Sequence, residues 1–415
     1  MKNYWLYLEP FTFVFSRDNK TLIYNSISFR CKTFTVSSDK LRDIFSGLND
    51  PVNLYCIEIS EEAIKDKEIE VFIRFIKKSF SGDFIEVSEV RKKPIIFPPV
   101  PKFPKRMTGS KLEIKRTSSI EIPSLLNELF LYVGGNNPSS NLKNIQVFKQ
   151  FDYCTDTNGK FLLFADIKKL LNSNIIKQLQ YLNILGGDIF TYPDLGILLK
   201  ELSNYDFITR IYSMYKDIPE VFDIFSSSLN SRFILKVLID FPADYQNLER
   251  TITMLKRENV NVELLFAIKS LSEYRESLTF KEKYKFCRCE INPVFTGDNL
   301  DFFKKYVFLS EKDLKKIRLG HNQIFLNQAL NAFYFGKLRI LHNSKVYSDL
   351  NKQSIGDIKT PLIDMLFYEM DNRLSWFNIR DQGPCNNCIY QWLCPPPSGY
   401  EQVLAKTNLC TVVSD

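Results

Sequence analysis

The sequence predicts an α/β protein. A partial (β/α)6 barrel follows a small β-meander-and-helix module and precedes a cysteine-bearing tail. Three observations carry this prediction. Between residues 110 and 315, apolar strand-like runs alternate with helical ones, the pattern of buried parallel strands joined by helical crossovers. Ahead of them, Phe11, Phe13 and Phe15 alternate with Thr12, Val14 and Ser16 at a period of two, and helical periods follow. Behind them, four of the nine cysteines crowd into the last thirty-one residues.

At 415 residues the chain has room for two or three hydrophobic cores. Apolar residues at 45% and charged residues at 25% are those of a soluble globular protein. Only two histidines accompany 35 Phe and 20 Tyr, which disfavours a His-ligated metal enzyme or a Ser-His-Asp hydrolase. The net charge of +7 is modest for this length, so no nucleic-acid partner is expected. No apolar run approaches the roughly 18 residues of a membrane span. The opening residues reach Glu9 and Pro10 before a signal-peptide core forms, so no membrane partner and a cytoplasmic location are expected.

Residues 1–90 form the first expected domain. A turn at Asp18-Asn19-Lys20 returns the chain through Leu22-Ile23-Tyr24, and a third run extends from Ile27 to Val36. Ser38 or Asp39 caps a helix carrying Leu41, Ile44, Phe45 and Leu48 on one face. A brief apolar stretch around Leu54–Ile57 precedes a second helical region, capped by Ser60, that includes Val71, Phe72, Phe75 and Ile76. Residues 91–110 are a linker: five prolines between Pro94 and Pro104 bar regular helix, and flanking Lys and Arg keep it solvated.

Residues 111–320 hold the barrel. Its strands are expected at Leu129–Val133, Leu182–Leu185, Ile208–Tyr215, Phe233–Phe241, Val260–Ile268 and Tyr284–Val294. Helices are expected at Asp194–Leu202, Pro219–Leu229, Ala243–Arg257, Leu271–Tyr284 and Leu300–Tyr306. Cys287 and Cys289, two apart on the sixth strand, share a face and are expected to be packed thiols. Residues 321–415 contain a hairpin, Leu338–Tyr347, with its turn at Asn343-Ser344, and then the tail.

In that tail, Cys385 and Cys388 make a C-x2-C knuckle, Cys394 follows after five intervening residues, and Cys410 after fifteen more. Four thiols so spaced can close one shell, and soft thiolates in that number select an iron–sulfur cluster or zinc. Spacing alone leaves both open.

Taken together, a six-unit partial barrel of TIM type, a hairpin, C-x2-C-x5-C and a trailing Cys resemble radical SAM enzymes with a SPASM-type C-terminal domain. Leu185-Gly186-Gly187-Asp188 resembles the loop by which that family receives the amino group of S-adenosylmethionine. The resemblance breaks at the catalytic centre. That family carries C-x3-C-x2-C after the first barrel strand, whereas here Gly134-Gly135-Asn136-Asn137-Pro138-Ser139-Ser140-Asn141-Leu142 carries no cysteine. Between Cys56 and Cys287 only Cys154 occurs, and one thiolate cannot hold a SAM-binding cluster. Gly186, Gly187 and Asp188 are then a remnant, and S-adenosylmethionine binding is not expected. The resemblance implies one 4Fe–4S cluster on Cys385, Cys388, Cys394 and Cys410, with zinc as the alternative. It also implies a lost inner cluster, since Ser398 and Tyr347-Ser348-Asp349 stand where its cysteines would be.

The N-terminal module resembles the winged-helix-like, PqqD-like recognition element of ribosomal peptide maturation systems. That resemblance implies a leader peptide added as a strand along Ser28, Phe29, Arg30, Lys32 and Phe34. An ordinary winged-helix or capping domain has the same pattern. The whole chain resembles the pseudo-radical-SAM proteins of Bacteroidales peptide natural-product systems. It implies a non-catalytic accessory protein, a precursor peptide with a Gly-Gly leader end and a partner radical SAM maturase. The alternative is a catalytically active or electron-transferring member that uses the remaining cluster.

Overall fold

The structure, a computed structural model, describes residues 2–89, 92–99, 122–142, 145–220 and 232–412. The linker expected over residues 91–110 and the helix expected over Pro219–Leu229 lie partly outside these residues.

The N-terminal module runs β1 (Asn3–Leu8), β2 (Thr12–Arg17), β3 (Lys20–Asn25), β4 (Cys31–Thr35), α1 (Asp39–Asn49), β5 (Cys56–Ser60), α2 (Glu61–Ile64), α3 (Lys67–Lys78) and β6 (Gly82–Glu86). The expected meander is present as the antiparallel sheet β2-β3-β4. A second sheet, β5-β1-β6, pairs strands about fifty residues or more apart, so the local pattern in the sequence did not announce it. Ser38 caps α1 by accepting from the Leu41 N–H, and Asp66 caps α3 by accepting from Glu68 and Ile69. These helices bury Leu41, Ile44, Phe45, Leu48, Ile69, Phe72, Ile73 and Ile76 against Val14, Ile23 and Phe34 of the meander. Strand alternation sends Phe13, Leu22 and Tyr24 to the other face, where they pack on Ile389, Tyr390 and Leu393 of the tail.

The large sheet contains β7 (Glu128–Tyr132), β8 (Tyr181–Leu185), β9 (Ile208–Met214), β10 (Phe233–Asp240), β11 (Val262–Ile268) and β12 (Arg288–Pro293). These six strands are parallel and adjacent in chain order. Between or after them lie α4 (Phe164–Leu171), α5 (Leu195–Leu202), α6 (Tyr245–Arg257), α7 (Leu271–Lys283), α8 (Leu300–Tyr306), α9 (Glu311–Leu314) and α10 (His321–Ala329). The sixth strand starts later than expected because Tyr284 still closes α7, its N–H on the Phe280 carbonyl. The sheet then continues: β13 (Lys337–Ile340) pairs parallel with β7, and β14 (Lys345–Tyr347) and β15 (Gly356–Asp357) follow antiparallel. The expected hairpin is therefore an extension of the large sheet. α11 (Leu362–Asn372) and α12 (Gly399–Leu404) complete the tail.

One face of this sheet buries Leu129, Leu131, Leu182, Ile184, Val237 and Ile239 beneath the helices. The other buries Phe130, Tyr132, Leu185, Tyr212, Met214 and Leu265 under the segment that follows β7. Among the described residues, no helix is long and apolar enough to cross a membrane.

Candidate functional sites

The segments that carry the tail cysteines are tied down by long-range contacts. Leu309 pairs with the Cys410 segment, its N–H on the Leu409 carbonyl and its carbonyl receiving the Thr411 N–H. Arg380, buried, ties the region together: it donates to Glu401 and to the Pro395 carbonyl, and its Nη1 lies 3.9 Å from Cys385 Sγ. The Tyr390 N–H donates to Cys388 Sγ at 3.4 Å. Cys385, Cys388, Cys394 and Cys410 are all free thiols.

Burial pushes the Cys394 thiol up to about 12; Arg380 opposes the rise, and Cys388, Cys410 and Cys385 add to it. Burial likewise raises Cys385, opposed by Arg380 and aided by Cys410, and raises Cys388, opposed by the Tyr390 N–H and aided by Cys410 and Cys385. Cys385, Cys388 and Cys394, each raised by burial and by neighbouring thiols, are favoured as thiolates by a cation among them. The donor chemistry fits a thiolate-bound centre. Among the described residues, however, no three His, Cys, Asp or Glu side chains are gathered closely enough to hold a single metal ion.

The Gly-Gly loop after β8 is taken up by the chain itself. Past β7 the backbone turns through Gly134 (φ 107°) and Gly135 (φ 133°), conformations that favour glycine. It then runs against residues 186–188. The Asp188 N–H donates to the Asn136 carbonyl at 2.7 Å, and the Gly186 carbonyl accepts from Thr155 at 2.9 Å. A Cβ on Gly187 would lie 1.9 Å from the Asn136 carbonyl oxygen, and one on Gly186 2.4 Å from that of Gly134. These glycines serve backbone approach. The Asp188 carboxylate caps the next turn through the Phe190 N–H at 3.0 Å. Burial, with the Asp217 charge added, pushes its pKa up to about 6.

The cysteine-free loop that follows is pinned by two aspartates at strand ends. Asp217 accepts from the Ser139 N–H at 3.0 Å. Asp240 accepts from Ser140 Oγ at 2.7 Å, from the Asn141 N–H at 2.6 Å and from Asn141 Nδ2 at 3.2 Å. Leu142, Val147, Tyr153 and Cys154 then pack onto the sheet. The Cys154 thiol, enclosed and facing Asp240 and Asp217, is held well above its ordinary range by burial first and those charges second. It stands alone as a thiol in this part of the fold. Cys287 and Cys289, two apart as anticipated, both pack against the helix-side core.

The third site is the edge of β4. The Asn25 N–H reaches the Arg30 carbonyl and the Val36 N–H reaches the Asn19 carbonyl. With the register of β3 on β4, this turns the main-chain groups of Arg30, Lys32 and Phe34 inward and those of Cys31, Thr33 and Thr35 outward. β4 ends its sheet, so among the described residues no strand pairs with that outer edge. Two corrections to the sequence expectation follow. Ser28 and Phe29 precede the strand, Ser28 Oγ donating to the Ser79 carbonyl and Phe29 standing at φ 56°. Phe34 points into the module core, only 6% exposed, between Phe45, Phe72 and Phe75. Only Arg30 and Lys32 of the five flank the edge. Sequence reading missed the opposite face, where Thr33 Oγ1 meets the Tyr390 hydroxyl at 2.9 Å, because that contact spans 357 residues.

The fold and these sites define an α/β protein with a sequential parallel sheet, an N-terminal meander open at one edge, and a thiol-rich tail. No protein-family model and no curated protein matches the chain. Among solved structures it is similar to SuiB of Streptococcus suis bound to precursor peptide SuiA, with 13% identity, 97% of each chain covered and a TM-score of 0.47. It is also similar to anSMEcpe with bound AdoMet and Cp18Cys peptide, with 13% identity, 64% of this chain and 88% of that chain covered, and a TM-score of 0.44.

Proposed function

We propose that the chain is a non-catalytic pseudo-radical-SAM accessory protein of a reducing cytoplasm. It binds a ribosomal precursor peptide as an added strand on β4 and presents it to a partner radical SAM maturase. The observation that carries this reading is the loop after β7. It lacks the cysteines a SAM-binding cluster needs, and its backbone occupies the Gly186-Gly187 turn where the cofactor's amino group would go. The partial (β/α)6 barrel is then a scaffold, and the open edge of β4 supplies main-chain hydrogen bonds for a peptide.

Cys385, Cys388, Cys394 and Cys410 would hold one 4Fe–4S cluster. In a cluster each thiolate binds its own iron, whereas zinc, the alternative, draws all four sulfurs onto one ion. Such a cluster would supply structural cross-linking or one-electron transfer. The same thiols support the second reading, an electron-transferring or catalytic member of the radical SAM/SPASM peptide-modifying class.

The test is anaerobic co-purification from cells expressing the chain with the maturase and precursor of its own gene neighbourhood. Retention of both partners, with modified peptide formed only when the maturase is present, is the expected result. Product made by this chain alone would move the assignment to the second reading, and retention of neither partner would end the first.

A further inference from the structure

We propose that the strand accepted by β4 is an acidic one: carboxylates at alternate positions face Arg30, Lys32 and Lys78, and a large apolar residue beyond them lies on Ile27 and Phe80. This rests on the reading of β4 as a peptide-binding edge and adds the chemistry of the peptide.

An added strand presents alternate side chains to two different walls. The wall on the α3 side is cationic. Lys32 Nζ stands 5.0 Å from the centre of the Phe34 ring and 5.9 Å from that of Phe75, which places it between the strand and α3. Arg30, exposed, donates to the Lys78 carbonyl at the C-terminus of α3, and Lys78 itself is exposed beside it. None of these three has a carboxylate within ion-pairing distance among the described residues. Elsewhere on the same module Lys2, Arg42, Lys65, Arg74 and Lys77 each hold one: Glu86, Asp39, Glu61, Glu70 and Asp83. Among the described residues, Arg30, Lys32 and Lys78 thus place three cations without a carboxylate partner side by side along β4 and the end of α3.

The opposite wall already carries a carboxylate of its own, Glu311. Lys315 pairs with Glu311 at 2.7 Å, and Thr33 is engaged by Tyr390. Carboxylates in the incoming strand thus gain more on the α3 wall, where no resident carboxylate competes, and this sets the register, because a slip of one residue would turn them to the other side. Past the start of β4, Ile27 is 64% exposed and Phe80 76% exposed. Asn25 ties them together, its Oδ1 accepting from the Ile27 N–H and its Nδ2 donating to the Phe80 carbonyl. Two large exposed apolar side chains whose backbones are tied to one asparagine, at the end of a cationic edge, fit a bulky apolar anchor next to an acidic stretch.

The experiment uses the full chain and three labelled twelve-residue synthetic peptides read by fluorescence anisotropy. Each has Thr at alternate positions and Leu at both ends, so that either strand direction reaches Ile27 and Phe80. The intervening positions are Glu, Gln or Lys. The Glu peptide is expected to bind about tenfold or more tighter than the Gln peptide and to weaken with salt, while the Lys peptide binds weakest. An Arg30→Glu/Lys32→Glu variant, checked by thermal melting, should reverse that order. Thr33→Pro removes an outward N–H and should lower binding about tenfold, whereas Thr33→Val, which keeps the N–H, should not. Equal affinity for all three peptides, or an order unchanged by charge reversal, overturns the acidic strand while loss in Thr33→Pro keeps the edge reading. Binding indifferent to Thr33→Pro, or no binding of any peptide, overturns both.

Discussion

At the scale of single residues, Asp188 and Gly187 show how the turn after β8 is committed. The folded-state pKa of Asp188, about 6, lies above its unfolded value of roughly 3.9. Native structure therefore favours the protonated carboxyl. The stability this group contributes is full below about pH 4 and is lost as pH rises through 6. Asp188→Asn keeps an oxygen for the Phe190 N–H and cannot ionise. Because Asp188 is only half-buried, solvent screening limits the gain to about 1 kcal/mol at pH 7.5, shrinking to nothing by pH 4. Urea unfolding at the two pH values measures it, and a gain at pH 4 as large as at pH 7.5 would refute the assignment. For Gly187→Ala, a methyl 1.9 Å from a carbonyl oxygen must push the two loops apart, and a loss of about 2–4 kcal/mol is expected in the same assay.

At the scale of elements, the loop after β7 is an ordered structure that depends on strand ends far along the chain. Asp240, at the end of β10, answers the hydroxyl of Ser140 and two N–H groups of Asn141, about a hundred residues earlier. Asp240→Ala would leave these donors unpaired in a buried setting. About 2–4 kcal/mol of stability should be lost, and hydrogen exchange should quicken over residues 136–154 before it does in the strands. Uniform exchange across the sheet would mean that the loop is not a separate unit. The β4 edge is also built by neighbours: α3 furnishes its cationic wall, and the tail furnishes Tyr390, which bridges Thr33 and Glu311.

At the scale of the whole molecule, the meander has two cores, one with its own helices and one with the cysteine tail. A centre held by the four tail thiols is then also a clamp on the N-terminal module. Protein purified without oxygen is expected to carry about four irons and four sulfides per chain, lost in Cys394→Ala. About one zinc instead would make the tail a structural clamp and remove electron transfer there. Removal of the centre by chelation should lower the melting temperature of the chain as a whole, because Phe13, Leu22 and Tyr24 lose their packing partner when the tail loosens. A melting temperature unchanged by chelation would separate the tail from the stability of the module.

Periodicity and cysteine spacing by themselves determined the six apolar strands, the meander and the four-thiol tail. A strand's alternation or a continuous apolar run is a property of neighbouring residues, and so is a C-x2-C knuckle. They also showed that the loop after Leu129–Val133 holds no cysteine. Only the tertiary structure decided that β1, β5 and β6 form their own sheet, that β13 joins β7, and that Gly186 and Gly187 are met by the chain's own backbone. It also decided that Phe34 turns inward, leaving Arg30, Lys32 and Lys78 to define the edge. Each of these is a contact between segments tens to hundreds of residues apart. Burial and pairing at that range depend on how whole elements pack, and no local pattern in the chain records them.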